Sequence, residues 1–432
     1  MTTSAAGREK HSLVRLTSIR PTLRAFVSFA LGVVVVTFGY TAGRQEALVL
    51  AGVAFLLPLC GLIYVRIRRP KISVTRLFSP PVVAAGSRVR MTIRLRNDGN
   101  TSTIPFAGDD AIPWQESLDS HEVPSLGTTA ATNRTRVVED NVHPPRRGLY
   151  VVGPFVVEYE DPFGMWRAAV AVGETDRLIV VPRLAALGDD GPALADGDGS
   201  AQLVRHRVTG NDDDLTTRDY RVGDALRRVH WRASARRGEL MVRQEEHRSH
   251  PDARVLVDTR RSGYPDASRD RSVWWSDWSS ESFEWVVAMG ASLGIHLDGA
   301  GFRLEIEESS RGQIEQFGPR TESRRGDGFL TSLAGVQLSD EDDLDQIRLG
   351  DAVGPLFAVA ADPDDATVDW MIHRRAPNAP AYAFFVDPRE SVVVRLQNEG
   401  WTVVEVNPDS DPIDAWRGSA SATRAASPVS RG

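Results

Sequence analysis

The hydrophobic and polar positions of this 432-residue chain follow three successive patterns. The first pattern is a pair of continuous apolar runs, Leu23 to Tyr40 and Ala47 to Val65, separated by a short polar turn. Each run has about 18 to 20 residues, which lets a helix cross the ~30 Å hydrocarbon core of a bilayer. The chain is therefore predicted to begin with a transmembrane hairpin over residues 23–65.

Basic residues flank the predicted hairpin on both sides. They are Arg8, Lys10, Arg15, Arg20 and Arg24 before or at the start of the first run, and Arg66, Arg68, Arg69 and Lys71 after the second. By the positive-inside rule, both flanks are cytoplasmic and the turn at 41–46 is external. The alternative is a signal peptide followed by a buried helix, but the full-length second run close behind argues against it. We expect a multi-pass membrane protein whose two termini, including segment 1–22, and soluble domains are cytoplasmic.

The second pattern, over residues 71–183, consists of short alternating stretches between Pro/Gly turns. In Arg88 to Arg96 the apolar residues Val89, Met91, Ile93 and Leu95 alternate with Arg and Thr. This period of two is typical of a strand with one buried face. Tyr150 to Tyr159 and Leu178 to Val181 are further predicted strands. An antiparallel, immunoglobulin-like β-sandwich is predicted.

The third pattern, over residues 251–416, alternates short apolar strands with amphipathic helices. The predicted strands are Ala253–Asp258, Phe302–Ile306, Pro355–Ala360, Ala381–Val386 and Trp401–Val406, and the predicted helices are Phe283–Leu297, Phe329–Ala334 and Ser391–Asn398. This alternation predicts a mostly parallel sheet with helices on both sides. Residues 184–202 form a predicted acidic linker, and the tail 417–432 is expected to be disordered because it has almost no large apolar residues.

Composition narrows the function classes only slightly. A hydrophobic content of 41% and a charged content of 25% are ordinary for a globular protein, and the length indicates two or more domains. The formal net charge of -7 argues against nucleic-acid binding by charge alone. The single cysteine, Cys60, excludes an intrachain disulfide or a cysteine-based zinc site.

The Arg-rich segment 203–250 carries the most distinctive motif. Its core is Tyr220, Gly223, Asp224, Arg227, Arg228, Val229, His230, Trp231, Arg232, Ser234, Ala235, Arg236, Gly238, Glu239 and Leu240. Asp224 is predicted to cap a short helix that begins near Ala225, and Trp231 is predicted to anchor the segment by burial. Arginine forms bidentate pairs with carboxylates and phosphates, so the arginines either dock a partner or pair internally with nearby Asp and Glu residues.

This motif resembles the signature of the bacterial membrane-protein family catalogued as domain of unknown function fifty-eight. Arg146 to Arg167, which reads RRGLYVVGPFVVEYEDPFGMWR, is similar to the family's upstream segment. The resemblance covers roughly residues 20 to 320. It implies that the α/β region is a von Willebrand factor A-like domain. It also implies a protein partner of the MoxR type of AAA+ ATPase.

The resemblance points to a degenerate metal motif. The first metal motif of von Willebrand factor A domains is Asp-x-Ser-x-Ser, and this chain has Asp258-Thr259-Arg260-Arg261-Ser262. Asp258 and Ser262 match, while Arg260 replaces the middle serine, and Asp362 is the predicted distal aspartate. Because a cation beside the metal position opposes binding, we expect no cofactor and no working Mg²⁺ site. Trp274, Trp275 and Trp278 are either a partner-facing patch or a cover over the sheet.

The expected function is that of a non-enzymatic, membrane-anchored interaction or adaptor protein. The chain lacks the His-Glu-x-x-His motif of common metallopeptidases. A hydrolase that uses His230, Asp224 and Ser234 is one alternative. The other is a protein that binds anionic lipid or a cell-wall precursor, since the arginine face of the predicted strand at 88–96 follows the membrane closely.

Overall fold

The computed structural model describes residues 18–115, 120–128, 130–192, 217–219, 231–239, 241–243, 251–269, 278–310, 312–318, 325–340, 344 and 354–426. The chain forms two compact units. The first unit comprises Met1–Arg183 with Ser268–Ser279 and Leu330–Gln337, and the second comprises the remaining residues. The predicted helix near Ala225 lies outside the described residues.

Two apolar helices open the first unit. Helix α1 spans Leu23–Ala42 and helix α2 spans Gln45–Ile67. Their 20 and 23 residues correspond to lengths of about 30 and 34 Å. Both are long and apolar enough to cross a membrane, and most of their side chains are not buried by protein. Gly43 ends α1 in the left-handed region, with φ of +66°, which glycine adopts without strain.

Ser28 completes the hydrogen bonding of α2 at its internal proline. Pro58 has no N–H group and therefore cannot donate to the carbonyl oxygen of Ala54, one turn earlier. The Ser28 hydroxyl of α1 donates to that carbonyl over 2.8 Å instead. An unpaired carbonyl in hydrocarbon costs several kcal/mol, so this interhelical bond lets the hairpin accommodate Pro58.

Eleven short strands build the β-rich part of the first unit. They are β1 Ser18–Pro21, β2 Ile72–Ser79, β3 Val82–Ala84, β4 Val89–Asn97, β5 Phe106–Asp110, β6 His121–Val123, β7 Thr135–Val142, β8 Gly148–Val152, β9 Phe155–Glu160, β10 Trp166–Val172 and β11 Asp176–Val181. They form sheets ordered β1-β10-β9-β5-β6, β2-β4-β7 and β3-β11-β8. Most pairings are antiparallel, and residues of all three sheets share one apolar core. This is a β-sandwich, as predicted.

The strand that the sequence predicts most clearly is β4. Val89, Met91, Ile93 and Leu95 are each 0% exposed, and the residues between them face outward. The predicted strand from Tyr150 to Tyr159 is instead two strands, β8 and β9. They are separated at Gly153-Pro154, where Gly153 has φ of +96° and Pro154 has no N–H group for a sheet ladder.

The sandwich packs against the second half of α2. The indole nitrogen of Trp166 donates to the Pro58 carbonyl over 2.7 Å, and the Tyr159 hydroxyl donates to the Val65 carbonyl over 2.9 Å. The sandwich is therefore attached to the hairpin by side-chain contacts as well as by the chain itself. Tryptophan and tyrosine are enriched at membrane–water interfaces, so both residue types suit the base of a membrane hairpin.

The second unit contains an open parallel sheet. Its strands are β14 Asp252–Val257, β17 Arg303–Glu308, β18 Leu356–Ala360, β19 Ala381–Val386 and β20 Thr402–Val406, preceded by β12 Thr217–Asp219, helix α3 Trp231–Arg237 and β13 Met241–Arg243. Later in the chain, β15 Ser268–Arg269 and β16 Trp278–Ser279 belong to the first unit, and the helices are α4 Glu281–Ala300, α5 Arg325–Gly335, whose residues from Leu330 onward belong to the first unit, α6 Asp365–Arg374, α7 Glu390–Asn398 and α8 Pro412–Ala426. The sheet order is β17-β14-β18-β19-β20, and all four pairings are parallel. The predicted α/β organisation is confirmed at this level.

The described part of the predicted linker is packed. The Ala185 amide donates to the Ser292 hydroxyl over 2.9 Å, and the Trp416 indole donates to the Gly188 carbonyl over 2.8 Å. A Cβ on Gly191 would lie 2.0 Å from the Trp416 ring, so only glycine allows this approach. Residues 184–192 are therefore part of the second unit, while 193–202 lie outside the described residues.

The predicted disorder after Trp416 is wrong for residues 417–426, because α8 continues to Ala426. Ala415, Trp416, Ser419 and Ala420 are all buried, at the spacing of one helix face. Beyond Trp416, the small residues Ser419 and Ala420 are buried by close packing, although neither has a large apolar side chain. Their low hydrophobicity misled the sequence-based prediction.

Candidate functional site

The carboxyl edge of the parallel sheet is the expected place for a site in the second unit. Numbered by chain order, the five strands lie in the sheet as 2-1-3-4-5. The chain passes from β14 to its neighbour β17 on one side and then continues to β18 on the other side of β14, so the direction of the connections reverses there. Open α/β sheets bind ligands at such a switch point, beyond the carboxyl ends of the strands. The loops that follow β14, β17 and β18 meet there and carry the polar residues described next.

Asp258, the first residue after β14, lies at the bottom of this edge and is 0% exposed. Its Oδ1 atom accepts hydrogen bonds from the Ser309 hydroxyl at 2.5 Å and from the Arg260 amide at 3.1 Å. Its Oδ2 atom has no hydrogen-bond partner among the described residues. A Cβ on Gly263 would lie 2.4 Å from Oδ2, so glycine is needed for this close approach. Burial raises the pKa of Asp258 to about 6, because removal from water penalises the charged form more than the hydrogen bonds favour it.

Arg260 supplies a positive charge to the same edge. Its side chain is nearly buried, and Nη1 donates to Asp364 Oδ1 at 3.1 Å and to the Thr367 hydroxyl at 2.8 Å. The Ser262 hydroxyl donates to the other Asp364 oxygen at 3.0 Å. Asp364 thus joins Arg260 to Ser262, the residues that align with the two serines of the metal motif.

Asp364 also caps helix α6. Its Oδ1 atom accepts from the amide and the hydroxyl of Thr367, each at 2.8 Å, which satisfies a free donor in the first turn. Burial opposes ionisation of this carboxyl. The hydrogen bonds from Thr367 and Ser262 and the charge of Arg260 outweigh burial, so the pKa of Asp364 is lowered. Asp364 is therefore ionised at neutral pH and holds Arg260 in place.

Three buried hydroxyl groups connect the loops after β14 and β17. The Thr259 amide donates to the Ser309 hydroxyl over 3.0 Å. The hydroxyl oxygens of Thr259 and Ser310 lie 2.6 Å apart and share a hydrogen bond. All three residues are 0% exposed. Their hydroxyl groups are used in packing the edge, which leaves them inaccessible as nucleophiles.

The three predicted ligands have different hydrogen-bond partners. Asp258 and Ser262 lie in the same loop, but Asp362 accepts from the Arg389 amide at 3.0 Å and from its guanidinium at 2.9 Å. The carboxylate that contacts Ser262 is that of Asp364, which the sequence analysis missed. Its spacing to Thr367, an aspartate three residues before a threonine at a helix start, is a capping signal that would have singled it out.

The Arg-rich signature is closed by a pair of short strands. β12 and β13 pair with Asp219 opposite Met241, so the signature lies between paired strands. The Met241 amide donates to the Ser234 hydroxyl of α3 over 2.8 Å, which fastens the helix to β13. Arg236 and Arg237 at the end of α3 are exposed. Neither forms an ion pair with another described residue.

Several signature residues lie outside the described part of the chain. They are Tyr220, Gly223, Asp224, Arg227, Arg228 and His230, together with the side chains of Trp231 and Arg232. Trp274 and Trp275 also lie outside it. Trp278 is described, and the Arg269 guanidinium lies 5.2 Å from the centre of its ring. The alternative in which a hydrolase uses His230 and Asp224 therefore concerns residues outside the described part of the chain.

We predict that Mg²⁺ does not change the thermal unfolding midpoint of the wild-type protein, measured with chelator and with millimolar Mg²⁺. The guanidinium of Arg260 already neutralises Asp364, and a second cation would be repelled. Arg260→Ser restores Asp-x-Ser-x-Ser and removes this cation. We expect Mg²⁺ to raise the midpoint of that variant, since ligand binding stabilises the folded state by mass action. A Mg²⁺-dependent rise in the wild-type protein would contradict this role of Arg260.

Comparison with protein families supports the resemblance seen in the signature. Residues 216–271 match the family model described as Protein of unknown function DUF58. That range holds the signature, β14 and the Asp258 loop. No curated protein matches the chain.

Comparison with solved structures yields weak similarities. The CARDB domain of the PF1109 protein from Pyrococcus furiosus, in complex with di-metal ions, is 20% identical over 24% of this chain and 88% of that chain, with a TM-score of 0.17. The alkylpurine DNA glycosylase AlkC from Pseudomonas fluorescens is 14% identical over 30% of this chain and 39% of its own, with a TM-score of 0.16. Sporulation control protein Spo0M from Bacillus subtilis is 11% identical over 35% of this chain and 58% of its own, with a TM-score of 0.15. Scores this low carry no functional argument.

Proposed function

We propose that this chain is a membrane-anchored, non-enzymatic docking protein that binds a protein partner through the carboxyl edge of its parallel sheet. The observation that carries the proposal is the guanidinium group of Arg260, a cation that the chain itself supplies at this edge. Arg260 occupies the position of a metal-motif serine and is bound to Asp364 and Thr367. A von Willebrand factor A-like domain organised in this way would dock its partner without a divalent ion.

The solvent-facing rim of the edge suits recognition of a protein. Exposed ion pairs join Arg261 to Asp340 at 3.7 Å and Arg389 to Asp362 at 2.9 Å. Charges of both signs alternate around Ser262 and Asp364. Such patterns favour one partner over others through charge complementarity, and they mainly affect association rates. The exposed Arg236 and Arg237 of the signature provide a second group of charges for docking.

The family resemblance suggests that the partner is a MoxR-type AAA+ ATPase. To test this, the full-length protein in micelles is titrated with the MoxR-type ATPase from the same genome. Arg261→Glu should weaken binding roughly tenfold, since it reverses a charge on the rim of the interface. Arg303→Glu is the matched control, because Arg303 is also an exposed arginine paired with an aspartate, Asp252, but lies at the amino end of the sheet.

The comparison of these two variants decides the location of the docking surface. We expect Arg303→Glu to change affinity less than twofold. Equal losses in both variants would show a general charge effect. Full binding by Arg261→Glu would remove the docking role of the sheet edge. No binding by the wild-type protein would reject this class of ATPase as the partner.

The proposed orientation places both termini and both soluble regions in the cytoplasm. Basic residues at both ends of the hairpin support it through the positive-inside rule. Reporter fusions after Lys71 should be active only in the cytoplasm, and fusions in the turn at Arg44 only outside it. The reverse pattern would place the sandwich outside the cell and favour binding of a cell-wall precursor.

A further inference from the structure

Three potential metal ligands meet in the β-sandwich, apart from the docking site. They are Asp109 of β5, His121 of β6 and Asp140 of β7. β5 and β6 belong to the five-stranded sheet, whereas β7 is an edge strand of the β2-β4-β7 sheet. The pairing of Gly108 with His121 brings β6 beside β5. The cluster therefore draws its side chains from two sheets and from three separate stretches of sequence.

The donor atoms of this cluster are close enough for one ion. One oxygen of each carboxylate and one ring nitrogen of His121 all lie within 4.8 Å of one another. Two ligands with bonds of about 2.1 Å to the same ion are at most about 4.2 Å apart. Side-chain movements that displace the donor atoms by roughly a few tenths of an ångström bring all three into one coordination sphere.

The histidine supplies an independent indication of a ligand. The Nε2 atom of His121 is shielded from solvent and has no hydrogen-bond partner among the described residues. A buried ring nitrogen without a partner loses its hydration without compensation, at a cost of about 1–3 kcal/mol. Imidazole nitrogen is a common metal ligand in its neutral form. An ion bound at this cluster would give the Nε2 atom the partner that the described protein groups do not supply.

Arg76, which binds the neighbour of Asp109, is engaged by carboxylates outside the cluster. Asp109 is 1% exposed, and its neighbour Asp110 is bound to Arg76. Arg76 also contacts Asp176, so one arginine serves two carboxylates.

We propose that Asp109, His121 and Asp140 bind one divalent first-row transition ion of the Zn²⁺ class. Two carboxylates and an imidazole suit such ions, whereas Mg²⁺ and Ca²⁺ prefer oxygen ligands alone. Three protein ligands leave a coordination position for water or another donor. The ion would link the two sheets at the edge strands β6 and β7, as a structural cross-link within the first unit.

The test is a calorimetric titration of ZnCl₂ into full-length protein in micelles, with the purification tag removed and prior metal stripped by EDTA. The wild-type protein should bind one Zn²⁺ per chain. His121→Gln and Asp140→Asn should each weaken binding by at least about 100-fold, beyond the 10- to 100-fold typical for outer-shell partners. The matched controls are His143→Gln and Asp98→Asn, which change exposed residues of the same unit. They should alter affinity less than twofold.

Two further readouts separate metal binding from folding. In EDTA, His121→Gln should retain the circular dichroism spectrum and unfolding midpoint of the wild-type protein, because the His121 Nε2 atom has no hydrogen-bond partner among the described residues. With one equivalent of Zn²⁺, only the wild-type protein and the controls should unfold at a higher temperature. Undiminished Zn²⁺ binding in either His121→Gln or Asp140→Asn would overturn the proposal, as would a wild-type protein that binds no stoichiometric Zn²⁺. Loss of binding in His143→Gln would place the ion elsewhere and overturn it as well.

Discussion

Asp110→Asn should lower the free energy of unfolding of the β-sandwich by about 3–5 kcal/mol, the usual cost of removing one partner of a buried ion pair. Both side chains of the Arg76–Asp110 pair are 0% exposed. Arg76 donates two hydrogen bonds to Asp110, at 2.8 and 2.6 Å. Asparagine cannot balance the guanidinium charge, and its amide group cannot accept the second bond. The Arg76 charge would then remain buried, with the partly exposed Asp176 as its remaining carboxylate partner among the described residues.

The matched control is the pair formed by Arg167 and Glu160 in the same unit. Its N–O distance of 2.5 Å is close to the 2.6 Å of the buried pair, but its side chains are 61% and 44% exposed. Glu160→Gln should therefore change stability by no more than about 1 kcal/mol, since water and salt screen exposed pairs. Hydrogen exchange of β4 amides in the full-length protein, measured in EDTA, reports the unfolding free energy of the sandwich. Equal effects of the two variants would show that burial does not set the strength of this pair.

Asp258→Asn should stabilise the second unit at pH 7.5, by up to about 3 kcal/mol. The pKa of Asp258 is raised from 3.8 to about 6, so the folded state binds its proton more tightly than the unfolded state does. Stability from this group is fully present below pH ~4 and is lost as the pH rises through about 6. Each pKa unit corresponds to about 1.4 kcal/mol. The asparagine side chain retains an oxygen that accepts the hydrogen bonds from the Ser309 hydroxyl and the Arg260 amide, and it carries no charge.

The pH dependence makes this prediction specific. The gain should be small near pH 4, where Asp258 is protonated in the folded state and only about half ionised in the unfolded state. Urea unfolding, read by pulse-labelling exchange on β14 peptides at pH 4, 5.5 and 7.5, measures it. Asp252→Asn, at the opposite end of β14, is the control and should show no gain, because its carboxylate has a favourable pair with Arg303. A destabilised Asp258→Asn protein at pH 7.5 would mean that the negative charge is needed in the folded state.

The sequence-based predictions succeeded where burial follows a local period. The alternation in β4 and the apolar runs of α1 and α2 identify these elements without any tertiary information. They failed where small residues pack closely. α8 continues past Trp416 because Ser419 and Ala420 fit against the second unit, although neither is strongly apolar. The segment 184–192 looks like a linker in composition, yet Gly188 and Gly191 contact Trp416.

The chain by itself determined the hairpin, the sandwich strands, the alternating α/β elements and the Arg260 substitution, because each depends on neighbours in sequence. Only the tertiary structure decided which polar groups meet. It joined Arg260 to Asp364, 104 residues away, rather than to Asp362. It also assembled Asp109, His121 and Asp140 from three strands. The physical reason is that side-chain contacts between distant loops depend on strand order and register. Those are set by packing of the whole sheet, and local patterns do not encode them.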